Sequence, residues 1–297
     1  MNRWRVLIAA ACWALLATAI VPPGRPAVAE DGMQKRRGRE AAFAERLHRR
    51  LEQALDRWCR WLARNLDPVP GTDLCTFHPT LEGYRAVAGN QFCAAAAGYW
   101  LARNEVDAET QRPLRALIKL ALGTHVAVKA VDRPDIILPW GATFSGADNW
   151  HADLFAGTSG MLMLDGLPAD QRKQLLAILA WEADQQIEFG FNKKNFHVTP
   201  RLGGSSVGES NAWSTGLLQA ARLALPNSPR QEAWRDAAIQ YSLNSICVPA
   251  DVKSDRVVAG KPLREWVKGA NFEPGGIQEH HGFYHPGYVA WTLAYQA

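Results

Sequence analysis

Between Gly269 and Tyr288 the chain reads GANFEPGGIQEHHGFYHPGY, so three histidines (His280, His281, His285), two tyrosines (Tyr284, Tyr288), two glutamates (Glu273, Glu279) and Asn271 fall within 18 residues. Imidazoles and phenols beside an amide are the groups that donate, accept and orient protons. A single histidine in a loop usually satisfies a backbone group; eight such side chains together point to a site. The four-residue step from His281 to His285 would set two imidazoles on one helix face, as a metal pair requires. Pro286 argues against that, because proline suits a first helical turn and would put His285 at the cap and Gly282 to Tyr284 in the loop. The expectation is therefore proton-transfer chemistry with neither metal nor cofactor.

Two further constellations open predicted helices. In Gly208-Glu209-Ser210-Asn211-Ala212-Trp213 a cap residue precedes an amide and an indole. Ser210 suits the cap, while Asn211 and Trp213 lie in or near the first turn, where an amide can hold a sugar hydroxyl or carboxylate. Asp148-Asn149-Trp150-His151-Ala152-Asp153 has the same form. Ten of the 12 tryptophans lie beyond residue 29. Trp140 and Trp150 stand in polar, Gly-containing stretches, which suggests platforms for sugar rings rather than core packing alone. Arg201 could grip a carboxylate bidentately.

These residues need elements to position them. Apolar residues at helical spacing mark Ala41 to Leu66, with Phe43, Leu47, Leu51, Leu55, Trp58 and Leu62 on one stripe. Further helices are predicted at about Leu81–Arg103, Pro113–Val131, Asp148–Leu164, Ala169–Gly190, Ser210–Leu225, Pro229–Cys247 and from Pro286 onward. No stretch alternates with period two, so no major sheet is expected. Short connections (Leu164 to Ala169, Leu225 to Pro229) alternate with long Gly-rich ones (Asp132 to Ala147, Phe191 to Glu209, Val248 to His285). In a series of antiparallel hairpins alternate loops share one end, so the long loops should converge on one cleft. That pattern predicts an all-α fold, an α/α toroid of helical hairpins. The chain stops at Ala297 inside an apolar helical pattern, which predicts a truncated and incomplete toroid.

The first 29 residues predict a cleavable export signal: Arg3 and Arg5, the apolar run Val6 to Val21, the breakers Pro22, Pro23 and Gly24, then Ala27-Val28-Ala29. The 16-residue run is short for a span, which takes roughly 20. Residues 30–297 would then form one domain working in the periplasm or outside the cell, off the membrane after cleavage. Losing Arg3, Arg5 and Arg25 lowers the formal charge from +4 to +1, which gives no general case for nucleic-acid binding. Cys59, Cys75, Cys93 and Cys247 remain, as buried thiols or as up to two disulfides.

The stretch from Gly269 to Tyr288 resembles the site region of α/α-toroid polysaccharide lyases, the hyaluronate and chondroitin lyase family and, more loosely, the heparinase-like families. The correspondence lies in Gln278-Glu279-His280 followed by Tyr284-His285-Pro286-Gly287-Tyr288; the tyrosine spacing matches, the glycine lies one place later, and the His-to-Tyr step is one residue shorter. The resemblance implies β-elimination from a uronic-acid polysaccharide or oligosaccharide. In that chemistry Asn211 or Asn271 with His280 neutralises the sugar carboxylate, and Tyr288, or Tyr284 in reserve, moves the proton. The expected catalytic set is Asn211, His280, Tyr284 and Tyr288, with Trp140, Trp150, His151, Arg201, Trp213, Asn271, His281 and His285 on the substrate. Two rivals stay open: a glycoside hydrolase using a carboxyl pair from Glu209, Glu279, Asp148 and Asp153, and a glycan-binding protein that cleaves nothing.

Overall fold

The computed structural model describes residues 30–77, 83–131, 139–141, 157, 159–189, 201–202, 205–280 and 282–294. The predicted leader, Trp150, His151, Asp148, Asp153 and His281 lie outside those residues, as does the side chain of Arg201. The chain divides into two compact units, 1–60 with 297, and 61–296.

Helix α1 (Glu30–Arg64) begins earlier than the apolar stripe suggested. Within the first unit it is laced by pairs four residues apart: Glu45 with Arg49, His48 with Glu52 at 3.0 Å and Asp56 with Arg60 at 3.1 Å. Exposed pairs of this kind add only about 0.3–0.5 kcal/mol each. Phe43 on the same helix is 61% exposed.

The second unit opens with a two-residue hairpin, β1 (Asp67–Pro68) and β2 (Cys75–Thr76). Helices α2 (Gly83–Leu101) and α3 (Ala108–Gly123) follow and pack on one another. The sequence suggested that α3 starts at Pro113, yet it starts a turn and a half earlier. Asp107 caps it, its carboxylate accepting the Thr110 amide at 2.8 Å and the Thr110 hydroxyl at 2.9 Å. Pro113 therefore sits inside the helix, where it forgoes one backbone bond. Next come α4 (Gly160–Met163), a 3₁₀ turn (Leu164–Gly166) and α5 (Ala169–Phe189). The α2–α4 contact depends on Gly98, since a Cβ there would stand 2.5 Å from that of Met163.

A second hairpin, β3 (Arg201–Leu202) and β4 (Ser205–Ser206), leads into α6 (Gly208–Ala224). A short turn joins α6 to α7 (Gln231–Ile246), and the two pack along their lengths. Beyond lie the hairpin β5 (Val257–Val258) and β6 (Lys261–Pro262), the short α8 (Leu263–Trp266), the hairpin β7 (Glu279–His280) and β8 (Phe283–Tyr284), and α9 (Pro286–Ala294). Helix α6 is central: α5, α7 and α9 all pack against it. The protein is thus mostly helical, and every sheet among the described residues is one two-residue hairpin.

The core is built from Trp100, Leu114, Leu117, Ile118, Leu122, Met163, Leu175, Ile178, Leu179 and Trp234, all with under 2% of their surface exposed. Each such side chain contributes roughly 1.5–3 kcal/mol by leaving water. Among the described residues no disulfide joins Cys59, Cys75, Cys93 and Cys247. Cys247 donates to the carbonyl of Gly269 at 2.6 Å, tying the end of α7 to the start of the His-Tyr stretch. Among the described residues no helix is long and apolar enough to cross a membrane.

Candidate functional site

Helix α6 supplies the floor of the site. Its second residue, Glu209, is 2% exposed. One carboxylate oxygen accepts the Ser210 hydroxyl at 3.2 Å, the other the Gln278 side-chain amide at 2.7 Å. Gln278 is itself buried, and its own oxygen accepts the Thr292 hydroxyl of α9 at 3.0 Å. The preceding strand β4 lies against β7. There the backbone oxygen of Ser206 accepts a hydrogen bond from His280 Nδ1 at 2.8 Å.

A carbonyl can only accept, so Nδ1 of His280 carries the proton, and in the neutral ring Nε2 is the lone-pair nitrogen. The Glu209 carboxylate stands 3.8 Å from the same Nδ1. The ring is 12% exposed at its side chain. Tyr288 stacks on it, ring centres 4.1 Å apart at 28°. Burial, and then the charge of Glu209, push the Tyr288 phenol above its ordinary value, so it holds its proton at neutral pH.

The hairpin that carries His280 is shaped by Gly282, whose φ of 84° suits glycine, and by Glu279, whose carboxylate accepts the Gly282 amide at 2.6 Å. Tyr284 pairs with Glu279 across this hairpin and is more than half exposed. His285 precedes α9, as the Pro286 argument anticipated, and its backbone oxygen accepts the Tyr288 amide at 3.0 Å. Its ring meets Tyr288 edge-on at 4.3 Å, and the exposed Phe283 stacks on it at 5.3 Å.

The two candidate asparagines differ. Asn271 has both polar atoms bonded: its oxygen accepts the Val207 amide at 2.8 Å and its nitrogen donates to the Asn244 carbonyl at 2.7 Å. This bonding clamps the approach to α6 against the end of α7. Asn211 is 2% exposed, and among the described residues its Nδ2 has no hydrogen-bond partner. An unmade donor of this kind costs about 1–3 kcal/mol, which makes it the side chain with bonding capacity to spare. Trp213, two residues on, packs edge-on against Trp291 of α9 at 6.4 Å.

Trp140 stands elsewhere. It is buried, its indole N–H donating to the Ala121 carbonyl at 2.8 Å, and it lies edge-on to His125 at 4.5 Å. His125 and Glu182, absent from the residues the sequence singles out, bond at 2.8 Å with both side chains wholly buried. Nothing in their flanking residues marks them as a pair. Gln278 lies within the motif, but its bonds to Glu209 and Thr292 join positions that only the fold brings together. Compared with known proteins, the chain matches no family model, no curated protein and no solved structure.

Proposed function

We propose that the protein is an exported polysaccharide lyase, freed of residues 1–29, that cleaves a uronic-acid glycan by β-elimination from helical hairpins arranged as an α/α toroid. One observation carries the reading: His280, locked by a carbonyl as the Nδ1–H tautomer, stacks on the ring of Tyr288. Elimination needs one group to take the proton beside the sugar carboxylate and another to give one to the departing oxygen. His280 Nε2 suits the first task and the Tyr288 hydroxyl the second. This division differs from the sequence expectation, which gave the abstraction to tyrosine; a phenol held above its usual range stays protonated at neutral pH, so it has a proton to give to the more basic departing alkoxide and no phenolate with which to abstract one.

The electrons of the broken C–H bond form a carbon–carbon double bond as the glycosidic C–O bond breaks. The Tyr288 proton goes to the released oxygen. Charge that builds on the substrate carboxylate falls to the uncommitted Asn211 amide. Glu209, beside Nδ1, stabilises the imidazolium that forms as His280 takes its proton, in the way a buried carboxylate serves a catalytic imidazole elsewhere. The glycoside hydrolase alternative draws less support, since Glu209 is buried with both oxygens bonded and Glu279 bonds the hairpin turn.

A screen of uronic-acid polymers for ultraviolet absorbance at new chain ends tests the reading. Elimination creates the absorbing double bond; cleavage without absorbance would assign a hydrolase, and binding without cleavage a glycan-binding protein. Activity should persist into alkaline pH and fall only as Tyr288 ionises, above the ordinary tyrosine value of about 10. Replacing Asn211 by Ala should lower kcat by about 10²–10³-fold, the loss typical of one charge-stabilising donor.

A further inference from the structure

We infer that Gln278 is a positioning residue which, oriented by Thr292, holds the Glu209 carboxylate against the His280–Tyr288 pair; this rests on the elimination reading above. Its side chain joins three elements. The amide nitrogen donates to Glu209 on α6 at 2.7 Å, and the amide oxygen accepts from Thr292 on α9 at 3.0 Å. Its backbone oxygen accepts the His285 amide at 3.1 Å, closing the β7–β8 hairpin on itself.

The orientation of the amide follows from these partners. The Thr292 hydroxyl supplies a proton to the oxygen, which turns the nitrogen toward Glu209, an acceptor on both oxygens when ionised. Thr292 lies one helical turn beyond Tyr288, so the two share a face of α9. The same bond that aims the amide therefore fixes the height of Tyr288 over His280. With Gln278 in place, Glu209 sits 3.8 Å from the Nδ1 of His280 and its charge bears on the Tyr288 phenol. Neither Gln278 nor Thr292 stands on the reacting atoms. They act through Glu209.

The test uses the full chain with ¹³C-labelled tyrosine, the Tyr288 signal being identified by its loss in Tyr288→Phe. Titrated from neutral to strongly alkaline pH, Tyr288 should ionise at a lower pH in Glu209→Gln, in Gln278→Met and, less so, in Thr292→Val, because the anion that opposes its ionisation is removed or released. Thr292→Ser keeps the hydroxyl and should restore the wild-type midpoint. On whichever polymer gives absorbance, Gln278→Met should lower kcat by about 10²-fold with KM within a factor of about two, the signature of a misplaced group rather than a lost contact.

A Tyr288 midpoint unchanged in folded Gln278→Met and Thr292→Val overturns the inference, whatever the activity. If Gln278→Met fails to fold, the Thr292 pair carries the same test. Should no polymer give absorbance, the elimination reading fails while the titration still decides the arrangement. Cleavage with wild-type kcat in both variants would sink the positioning claim and leave elimination standing.

Discussion

Two histidine–glutamate pairs of the second unit, His125 with Glu182 and His280 with Glu209, hold their protons on opposite nitrogens. At His125 the Ala127 amide donates to Nδ1 at 3.1 Å, so the proton is on Nε2 and points to Glu182 at 2.8 Å. Both nitrogens are used, the pair is wholly buried, and Trp140 and Trp181 meet the ring edge-on at 4.5 and 5.1 Å. At His280 the proton is on Nδ1, held by Ser206, and the carboxylate stands off at 3.8 Å. The same two residue types make a structural pin in one place and, on the elimination proposed above, a proton-handling group in the other. What separates them is which nitrogen the backbone claims.

That contrast breaks most readily at His280. Replacing it by Ala should reduce turnover by about 10²–10⁴-fold, the usual worth of a positioned acid–base group. The folded state should lose less than at the wholly buried His125, since the ring keeps some exposure and what goes is a backbone bond and the stack on Tyr288. Comparing turnover with a urea melt of the same sample checks both halves. A large stability loss with turnover intact would make His280 a second pin.

The mirror prediction concerns His125. Substituting Leu leaves the Glu182 carboxylate buried without its imidazole partner, at a cost of about 3–5 kcal/mol. Turnover per folded molecule should be unchanged. If the variant melts like the wild type but no longer cleaves, the buried pair belongs to the chemistry and the contrast collapses.

Legibility followed the same divide. The helices could be read because their apolar residues recur at a period that needs no knowledge of the fold, as at Leu114, Leu117, Ile118 and Leu122 of α3. Boundaries slipped where a side chain outweighed a propensity, as when Asp107 started α3 ahead of Pro113. In the site, His280, Tyr288 and His285 were visible as a cluster because they are close in sequence. The choice between Asn211 and Asn271 was not, because it depends on which amide the backbone occupies: Val207 lies 64 residues from Asn271, and their bond exists only after folding. Glu182 and His125, 57 residues apart, were hidden for the same reason.

Trp140 gives the smallest and most discriminating prediction, since sequence context made it a sugar platform and the structure packs it on the pin. An indole at a cleft would present a face to the ligand; this one is 3% exposed and directs its N–H to the Ala121 carbonyl. Phe keeps most of the ring and its edge-on contact with His125 while deleting the hydrogen bond. Trp140→Phe should therefore cost about 0.5–1.5 kcal/mol, the net worth of one such bond, or somewhat more if the Ala121 oxygen stays dry. KM for any polymer should not move, because no surface offered to a sugar has changed. The readouts are a thermal or urea midpoint and a saturation curve. An unchanged midpoint with KM raised several-fold would transfer Trp140 to the binding surface. It would also mean that the region around His125 faces substrate, and that the opposite tautomers mark two halves of one site rather than a pin and a catalytic pair.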